Sequence, residues 1–290
     1  MLNLLVSMST KSNKDRTLET TAVLSNYTAQ ILSRHKYSKI HSVFPNGFNL
    51  DYKGYLVYVT YHQEGQLSAL GLTIDRKLFN QLHPQLKVGQ LVRYQKDRFT
   101  FYIQANNLSI RIKDRLIKDL KVNDHSIEVK QWLQLKDRLN KKDILASSGF
   151  STREILLKTY QDILEKKEIT ENQVRDLIGA GIGLTPTGDD FLQGMILMEK
   201  VLGDLPKIEA QVKRQLKERS TTDVSLSYYE TLFEGYYNEP LAKLFEAISE
   251  ENEEEIEQAI LLLQDYGETS GFDLLTGMLT YLQIKEDRMI

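Results

Sequence analysis

Residues 179–194 read GAGIGLTPTGDDFLQG, and no other stretch of the chain departs so far from ordinary core or surface sequence. Gly179, Gly181 and Gly183 alternate with small or apolar residues and permit backbone angles that other residues avoid. Successive N–H groups in such a segment can turn inward and bind an anion. The spacing fits neither the dinucleotide fingerprint nor a P-loop. From these residues a phosphate-binding loop, a metal site and a helix cap all remain open.

The helix that follows this loop begins with two carboxylates. Thr187 or Asp189 can cap it, and Asp190 lies in its first turn. The carboxylates interact favourably with the helix dipole themselves and would repel a phosphate. A phosphate ligand would therefore have to bind to the glycine N–H groups, or to a Mg²⁺ ion that the aspartates also bind. Alternatively, the aspartates accept hydrogen bonds from an amide or amino group. The sequence assigns no other metal ligand.

The start of this helix has a second copy. Residues 187–196, TGDDFLQGMI, and residues 270–279, SGFDLLTGML, share one pattern of hydroxyl, glycine, aspartate and apolar positions. The matched pairs are Thr187 with Ser270, Gly188 with Gly271, Asp190 with Asp273, Gly194 with Gly277, and Met195 with Met278. Glycine inside a helix costs stability and usually marks close backbone approach. We therefore predict two helices that cross at the later glycines with approximate two-fold symmetry, their first turns facing one pocket.

A third segment, residues 219–237, places hydroxyl groups at another helix start. Thr221, Thr222 and Ser225 form either an N-cap cluster or further donors for the same pocket.

The composition limits the function classes. The 290 residues are 41% hydrophobic and 27% charged, with a net charge of −3 and no cysteine. The absence of cysteine excludes disulfides, thiolate catalysis and cysteine-ligated metals. The charge gives no support to nucleic-acid binding. No apolar run approaches the roughly 20 residues of a membrane helix, and the run in residues 1–15 is too short for a signal-peptide core. We therefore expect a cytoplasmic protein without a membrane partner.

The hydrophobic periodicity predicts an α+β fold. Residues 18–34 fit an amphipathic helix, and the aromatic and β-branched segments up to residue 112 predict short strands, including a hairpin that turns near Lys96 and Asp97. With no helices expected between them, these strands predict a small antiparallel barrel or sandwich.

Helices follow this part of the chain. The first lies within residues 151–167 and has an apolar stripe through Ile155, Leu156, Tyr160 and Ile163. The predicted parts are residues 1–112 (N-terminal helix plus β-rich domain), 113–150 (connecting segment) and 151–290 (helical domain). Further helices are predicted at 171–178, 189–202, 207–219, 224–236, 239–249, 252–265 and 271–284.

Three segments resemble the motif blocks of the AllH-like family, long known as a domain of unknown function with a signature close to G-x-G-L-T-P-[ST]-G-D-D. They are GIGLTPTGDDFLQG (181–194), STTDVSLSYYETLFEG (220–235) and GETSGFDLLTGML (267–279). Residues 41–50, HSVFPNGFNL, look like the family's strand-rich opening segment. The resemblance implies a subunit of the oxamate carbamoyltransferase of allantoin catabolism, a branch of purine degradation. That enzyme moves a carbamoyl group between carbamoyl phosphate and oxamate, with oxalurate as the other species, and is active as an assembly with partner subunits.

The residue types suggest roles for the matching positions. Asp189 and Asp190 are the candidate catalytic residues, and they could also hold a metal such as Mg²⁺. The candidate ligand-binding residues for a small anion are Gly181, Gly183, Leu184, Thr185, Thr187, Gly188, Thr221, Thr222, Ser225, Ser270, Gly271 and Asp273. All five histidines precede the helical half, so a carboxylate, tyrosine, lysine or the substrate must move any proton there. A ligand-binding, regulatory or structural subunit with the same pocket stays the alternative.

Overall fold

A closed barrel of eight strands forms the first part of the chain. The computed structural model describes residues 16–103, 107–122 and 127–289. The strands are β1 (Arg16–Ser25), β2 (Tyr37–Phe44), β3 (Gly47–Tyr52), β4 (Tyr55–Tyr61), β5 (Gly71–Ile74), β6 (Leu91–Gln95), β7 (Arg98–Phe101) and β8 (Leu108–Lys118). They follow one another around the barrel in the order β1-β5-β4-β3-β2-β6-β7-β8, and β8 closes it against β1. The β1–β8 and β4–β5 pairs are parallel and the others antiparallel.

Alternating side chains build the barrel core, as the β-rich pattern predicted. In β7, Phe99 and Phe101 point inward while Arg98 is exposed. The predicted hairpin is confirmed, because β6 and β7 are joined through Lys96 and Asp97, whose φ angles are 51° and 55°. Positive φ at both central residues is the geometry that matches the twist of paired strands.

The prediction of one helix over residues 18–34 is wrong in its first half. That half is strand β1, which pairs along its whole length with β8, and the helix α1 (Asn26–Arg34) starts only afterwards. Ser25 separates the two elements, because its hydroxyl accepts a hydrogen bond from Thr28 N–H at 2.9 Å and caps α1. The strands are also not free of helices: α2 (Arg76–Leu82) lies between β5 and β6, capped by Asp75.

The second part of the chain is helical, as expected. Its helices are α3 (Val129–Lys141), α4 (Glu154–Lys166), α5 (Glu171–Leu177), α6 (Thr187–Val201), α7 (Lys207–Gln215), α8 (Asp223–Phe233), α9 (Glu239–Ser249), α10 (Glu253–Gln264) and α11 (Ser270–Met289). The predicted stripe of α4 is correct for Leu156, Tyr160 and Ile163 and wrong for Ile155, which is 82% exposed. Helix α6 is buried along nearly all of its length, so it lies at the centre of this part.

Each part has its own hydrophobic core. The segment between β4 and β5 connects the barrel to the helical part by hydrogen bonds to the start of α9. Glu239, at the start of α9, is buried and accepts a hydrogen bond from Leu67 N–H at 3.0 Å. Its other oxygen binds the Lys118 ammonium group at the end of β8. Strand β8 therefore continues past the predicted boundary at residue 112 and ends against the helical part. No helix among the described residues is long and apolar enough to cross a membrane.

Replacing Glu239 by alanine is expected to destabilise the protein by about 3 kcal/mol, because it leaves a buried amide and a partly buried ammonium group without their partner. Urea unfolding gives the free energy of unfolding. The control is Glu246→Ala, an exposed position on the same helix, which is expected to change it by less than about 0.5 kcal/mol. Equal effects of the two substitutions would contradict this role of Glu239.

Candidate functional site

The helices α6 and α11 cross in direct backbone contact, as their paired glycines predicted. A Cβ atom on Gly194 would lie 2.1 Å from the carbonyl oxygen of Leu274, and one on Gly277 would lie 2.0 Å from that of Phe191. Phe191 and Leu274 are themselves matched positions of the two copies. The contact is therefore reciprocal, which is what an approximate two-fold axis between the helices requires.

The first glycine of each copy makes a second reciprocal contact. A Cβ on Gly188 would lie 2.0 Å from the carbonyl oxygen of Leu177, at the end of α5. One on Gly271 would lie 1.7 Å from that of Leu263, near the end of α10. Each copy is thus a helix pair, α5 with α6 and α10 with α11, in which the first helix ends against the first turn of the second.

Asp189 is fully buried and holds the glycine-rich loop in place. One carboxylate oxygen accepts hydrogen bonds from Gly179 N–H at 3.0 Å and Tyr229 O–H at 3.1 Å, and the other accepts from the Thr221 hydroxyl. Burial raises the pKa of Asp189, and these donors lower it in part. Ser225 is also buried beside this carboxyl group. Because its oxygens already have partners, the geometry of Asp189 favours a role in positioning the loop.

The loop itself is largely at the surface. Gly181 and Gly183 have positive φ angles of 142° and 96°. A Cβ on Gly181 would lie 2.3 Å from the Thr187 nitrogen, whereas one on Gly183 would meet nothing within 4 Å. Leu184 is half exposed, and its carbonyl oxygen accepts a hydrogen bond from the hydroxyl of Thr222, which also caps α8. Of the two threonines predicted at the start of α8, Thr222 therefore binds the loop, whereas Thr221 binds Asp189.

Asp190 lines a small cavity between the two copies. The cavity has a volume of about 30 Å³, enough for a group the size of one or two water molecules. Next to Asp190 in its wall, the hydroxyl groups of Thr185 and Ser270 lie 2.7 Å apart and join the loop to the first turn of α11. The other lining residues are Gln193, Tyr228, Asn238, Pro240, Leu241, Leu263, Tyr266, Gly271 and Leu274.

Two buried polar groups of this cavity wall are unpaired. Asp190 is 5% exposed and Gln193 is 7% exposed. Within the part of the chain that the structure describes, neither Asp190 Oδ2 nor Gln193 Nε2 has a hydrogen-bond partner. Buried polar groups without partners cost free energy, so such a pair in a cavity wall points to a bound polar molecule.

The ionisation of Asp190 is strongly perturbed. Burial raises the pKa of Asp190 well above its ordinary value, and the charges of Asp273 and Asp189 raise it further. The hydroxyl groups of Ser270 and Thr185 offset part of this rise. A carboxyl group of this kind retains its proton at higher pH than usual and can act as an acid.

The matching aspartate of the second copy has a different environment. Asp273 is fully buried, and Gly149 N–H donates to its Oδ1 at 2.8 Å. Burial raises the pKa of Asp273, and the Gly149 amide and the hydroxyl groups of Thr269 and Thr187 lower it in part. Asp273 is not among the residues that line the cavity. The predicted shared pocket is thus built from both first turns, but only one of the two matched aspartates lines it.

Sequence reasoning missed several residues of the cavity wall. Gln193 stands at a polar position of the repeat, beside the crossing glycine, and this was the one signal that could have revealed it. Tyr228 and Tyr266, whose hydroxyl groups are 2.8 Å apart, and Asn238 come from α8, the loop before α11 and the segment before α9. Their residue types carried no signal, because only the fold brings them together.

The described histidines stay outside the cavity. His41 on β2 reaches the helical part, where its Nε2 lies 3.1 Å from Asp223 Oδ2 at an exposed position. His125 lies outside the described residues. Over residues 16–103, 107–122 and 127–289, no three histidine, aspartate or glutamate side chains cluster as metal ligands would.

The comparison with known families identifies the same segment. A model of the family described as oxamate carbamoyltransferase subunit AllH matches residues 177–282, from the end of α5 into α11. This confirms the resemblance that the motif blocks indicated, whereas the resemblance of residues 41–50 stays a prediction because the match begins after them. No solved structure matches the chain.

Gly194→Ala tests the crossing of α6 and α11, because helix propensity and the close contact predict changes of opposite sign in the free energy of unfolding. Helix propensity alone favours alanine over glycine by about 1 kcal/mol. The contact with Leu274 predicts the opposite, a loss of at least about 2 kcal/mol, because a backbone carbonyl cannot move aside. Thermal and urea unfolding measure the change. Gly235→Ala serves as control, since a Cβ there meets nothing and only the φ of 83° is unfavourable. A more stable Gly194→Ala variant would disprove the close crossing.

Asp190→Asn is expected to raise the free energy of unfolding at pH 7 by more than about 1 kcal/mol. The pKa of Asp190 is higher in the folded than in the unfolded protein. The contribution of Asp190 to stability is therefore fully present below its pKa in the unfolded protein, about 3.9. This contribution is lost as the pH rises through the pKa of Asp190 in the folded protein. The advantage of the variant should accordingly shrink as the pH falls towards 4 in urea-unfolding series. The exposed control Asp176→Asn should show no such trend. A variant less stable than wild type at pH 7 would contradict the prediction.

Proposed function

From the match of residues 177–282 to a family described as an oxamate carbamoyltransferase subunit, we propose that the chain is one subunit of a carbamoyl-transferring enzyme. The enzyme converts oxalurate and phosphate into oxamate and carbamoyl phosphate. The observation that carries this proposal is the coincidence of the matched segment with the cavity of Asp190. The description of the family as a subunit implies partner chains in a carbamoyltransferase complex.

The reaction needs three things from a site. A phosphate oxygen attacks the carbamoyl carbon of oxalurate, the bond from that carbon to the oxamate nitrogen breaks, and the proton of hydrogen phosphate ends on that nitrogen. The site must bind the anions, stabilise the negative charge that grows on the carbonyl oxygen, and deliver the proton.

The residues around the cavity match these needs. The N–H groups of the loop at Gly181 and Gly183, with the Thr185 hydroxyl, are the donors we assign to the anionic groups. Asp190 is the group we assign to proton transfer, because burial raises its pKa and keeps the proton available. Asp189 then acts on the loop, through its bonds to Gly179 and Thr221.

One observation supports a second candidate, a subunit that binds the ligand without turning it over. The cavity of about 30 Å³ is far below the roughly 300 Å³ of the smallest typical ligand sites. In that case a partner subunit supplies the remaining surface and the reacting groups.

Phosphate-dependent cleavage of oxalurate, followed with the purified chain alone and with candidate partner subunits, separates these functions. We expect activity in the complex and a fall in kcat of about 100-fold or more on Asp190→Asn. Asp176→Asn is the control and should leave kcat unchanged. Ligand binding without activity in any complex would favour the second candidate. Absence of both activity and a thermal shift with oxamate or carbamoyl phosphate would contradict the two functions together.

A further inference from the structure

The second copy of the repeat shows what occupies the position equivalent to the cavity. Beside Asp273, the backbone of Gly149 lies very close to the first turn of α6. A Cβ atom on Gly149 would be 2.0 Å from the hydroxyl oxygen of Thr187. Its N–H donates to Asp273 at 2.8 Å. The next residue, Phe150, packs on Phe191 with ring centroids 5.0 Å apart. A peptide group and its neighbouring side chain therefore fill this side of the helix pair.

The same positions of the first copy line the cavity. Asp190 corresponds to Asp273, Ser270 to Thr187, and Leu274 to Phe191. Among the described residues no backbone N–H donates to Asp190, whereas Gly149 N–H donates to Asp273 Oδ1, and Oδ2 of both aspartates has no hydrogen-bond partner. The approximate two-fold axis between α6 and α11 therefore relates the cavity beside Asp190 to the position beside Asp273 that the peptide group of Gly149 occupies.

We propose that this cavity is a carboxamide subsite, which binds the H₂N–C=O end of a small substrate between Asp190 and Gln193. The inference rests on the proposed function, since it assigns one end of that substrate to one part of that site. The substrate N–H donates to Asp190 Oδ2, as Gly149 N–H donates to Asp273. The Gln193 side-chain amide donates to the substrate carbonyl oxygen.

The chemistry of the wall supports an amide over an anion. Leu241, Leu263 and Leu274 make much of it apolar, and among its described residues there is no cation to pair with a phosphate or carboxylate. A neutral amide loses less hydration free energy than a carboxylate on entering such an apolar cavity, whether or not Asp190 is protonated. The anionic end of the substrate must therefore extend past Thr185 and Ser270 towards the glycine loop, outside the cavity.

Oxamate and oxalate provide the test, because they have nearly the same shape and differ by an amide in place of a carboxylate. Isothermal titration of the full chain, alone and in the complex with its partner subunits, gives both dissociation constants. We expect oxamate to bind at least about tenfold more tightly than oxalate, the effect of leaving a buried polar contact unpaired. Equal affinities, or no binding of oxamate in either preparation, would overturn the inference.

Two variants locate the effect at the cavity. Asp190→Asn presents an N–H donor instead of a carboxyl group, so the preference for oxamate should fall at least about tenfold or reverse. Gln193→Met keeps the volume but removes the donor, and should weaken oxamate binding about tenfold without loss of thermal stability, because it deletes an unpaired buried group. Asp176→Asn is the control. An unchanged oxamate-to-oxalate ratio in both folded variants would overturn the inference.

The outcomes distinguish this inference from the proposed function. Selectivity for oxamate that depends on Asp190, without cleavage of oxalurate in any complex, supports the subsite and contradicts the transferase activity. Cleavage of oxalurate with no selectivity between oxamate and oxalate supports the activity and overturns the subsite.

Discussion

The backbone contact between α6 and α11 is the constraint on which the helical part depends. Gly194 and Gly277 each face a carbonyl oxygen of the other helix at a distance that leaves no room for a methyl group. Those carbonyls belong to helix backbones and cannot shift without breaking their own hydrogen bonds. The crossing therefore fixes how the first turns of the two helices meet, and it brings the Ser270 hydroxyl beside Asp190.

This crossing also brings Asp273 near enough to Asp190 for its charge to raise the pKa of Asp190, and buried carboxyl groups near one another cost stability. The protein offsets the cost for Asp189 and Asp273 with backbone and side-chain donors. Among the described residues Asp190 has no backbone donor, and only the hydroxyl groups of Ser270 and Thr185 offset part of its cost, while Oδ2 of Asp190 and Oδ2 of Asp273 both lack a hydrogen-bond partner. The difference between these environments, more than the presence of aspartates, marks the site.

The sequence allowed the repeat, the crossing and the hairpin at Lys96 to be predicted, because glycine position and turn chemistry act locally. It did not reveal β1, since the pattern of residues 18–25 suits a helix face and the pairing with β8 depends on a distant segment. Nor could it reveal Gly149 as the donor to Asp273, which lies far away in the chain. Local chemistry identified the candidate residues, and only the fold separated Asp273, which accepts a hydrogen bond from Gly149, from Asp190, which lines the cavity.

The barrel has a physical connection to this site, although none of its strands lines the cavity. Asn238, which does line it, accepts a hydrogen bond from Ala69 N–H at 2.9 Å, in the segment between β4 and β5. Burial raises the pKa of Tyr228, another wall residue, and the nearby Ser68 hydroxyl lowers it in part. Glu239, next to Asn238, is held by Leu67 of the same segment. One wall of the cavity is therefore positioned by the barrel, through the hydrogen bonds of Leu67 and Ala69 to the residues that begin α9.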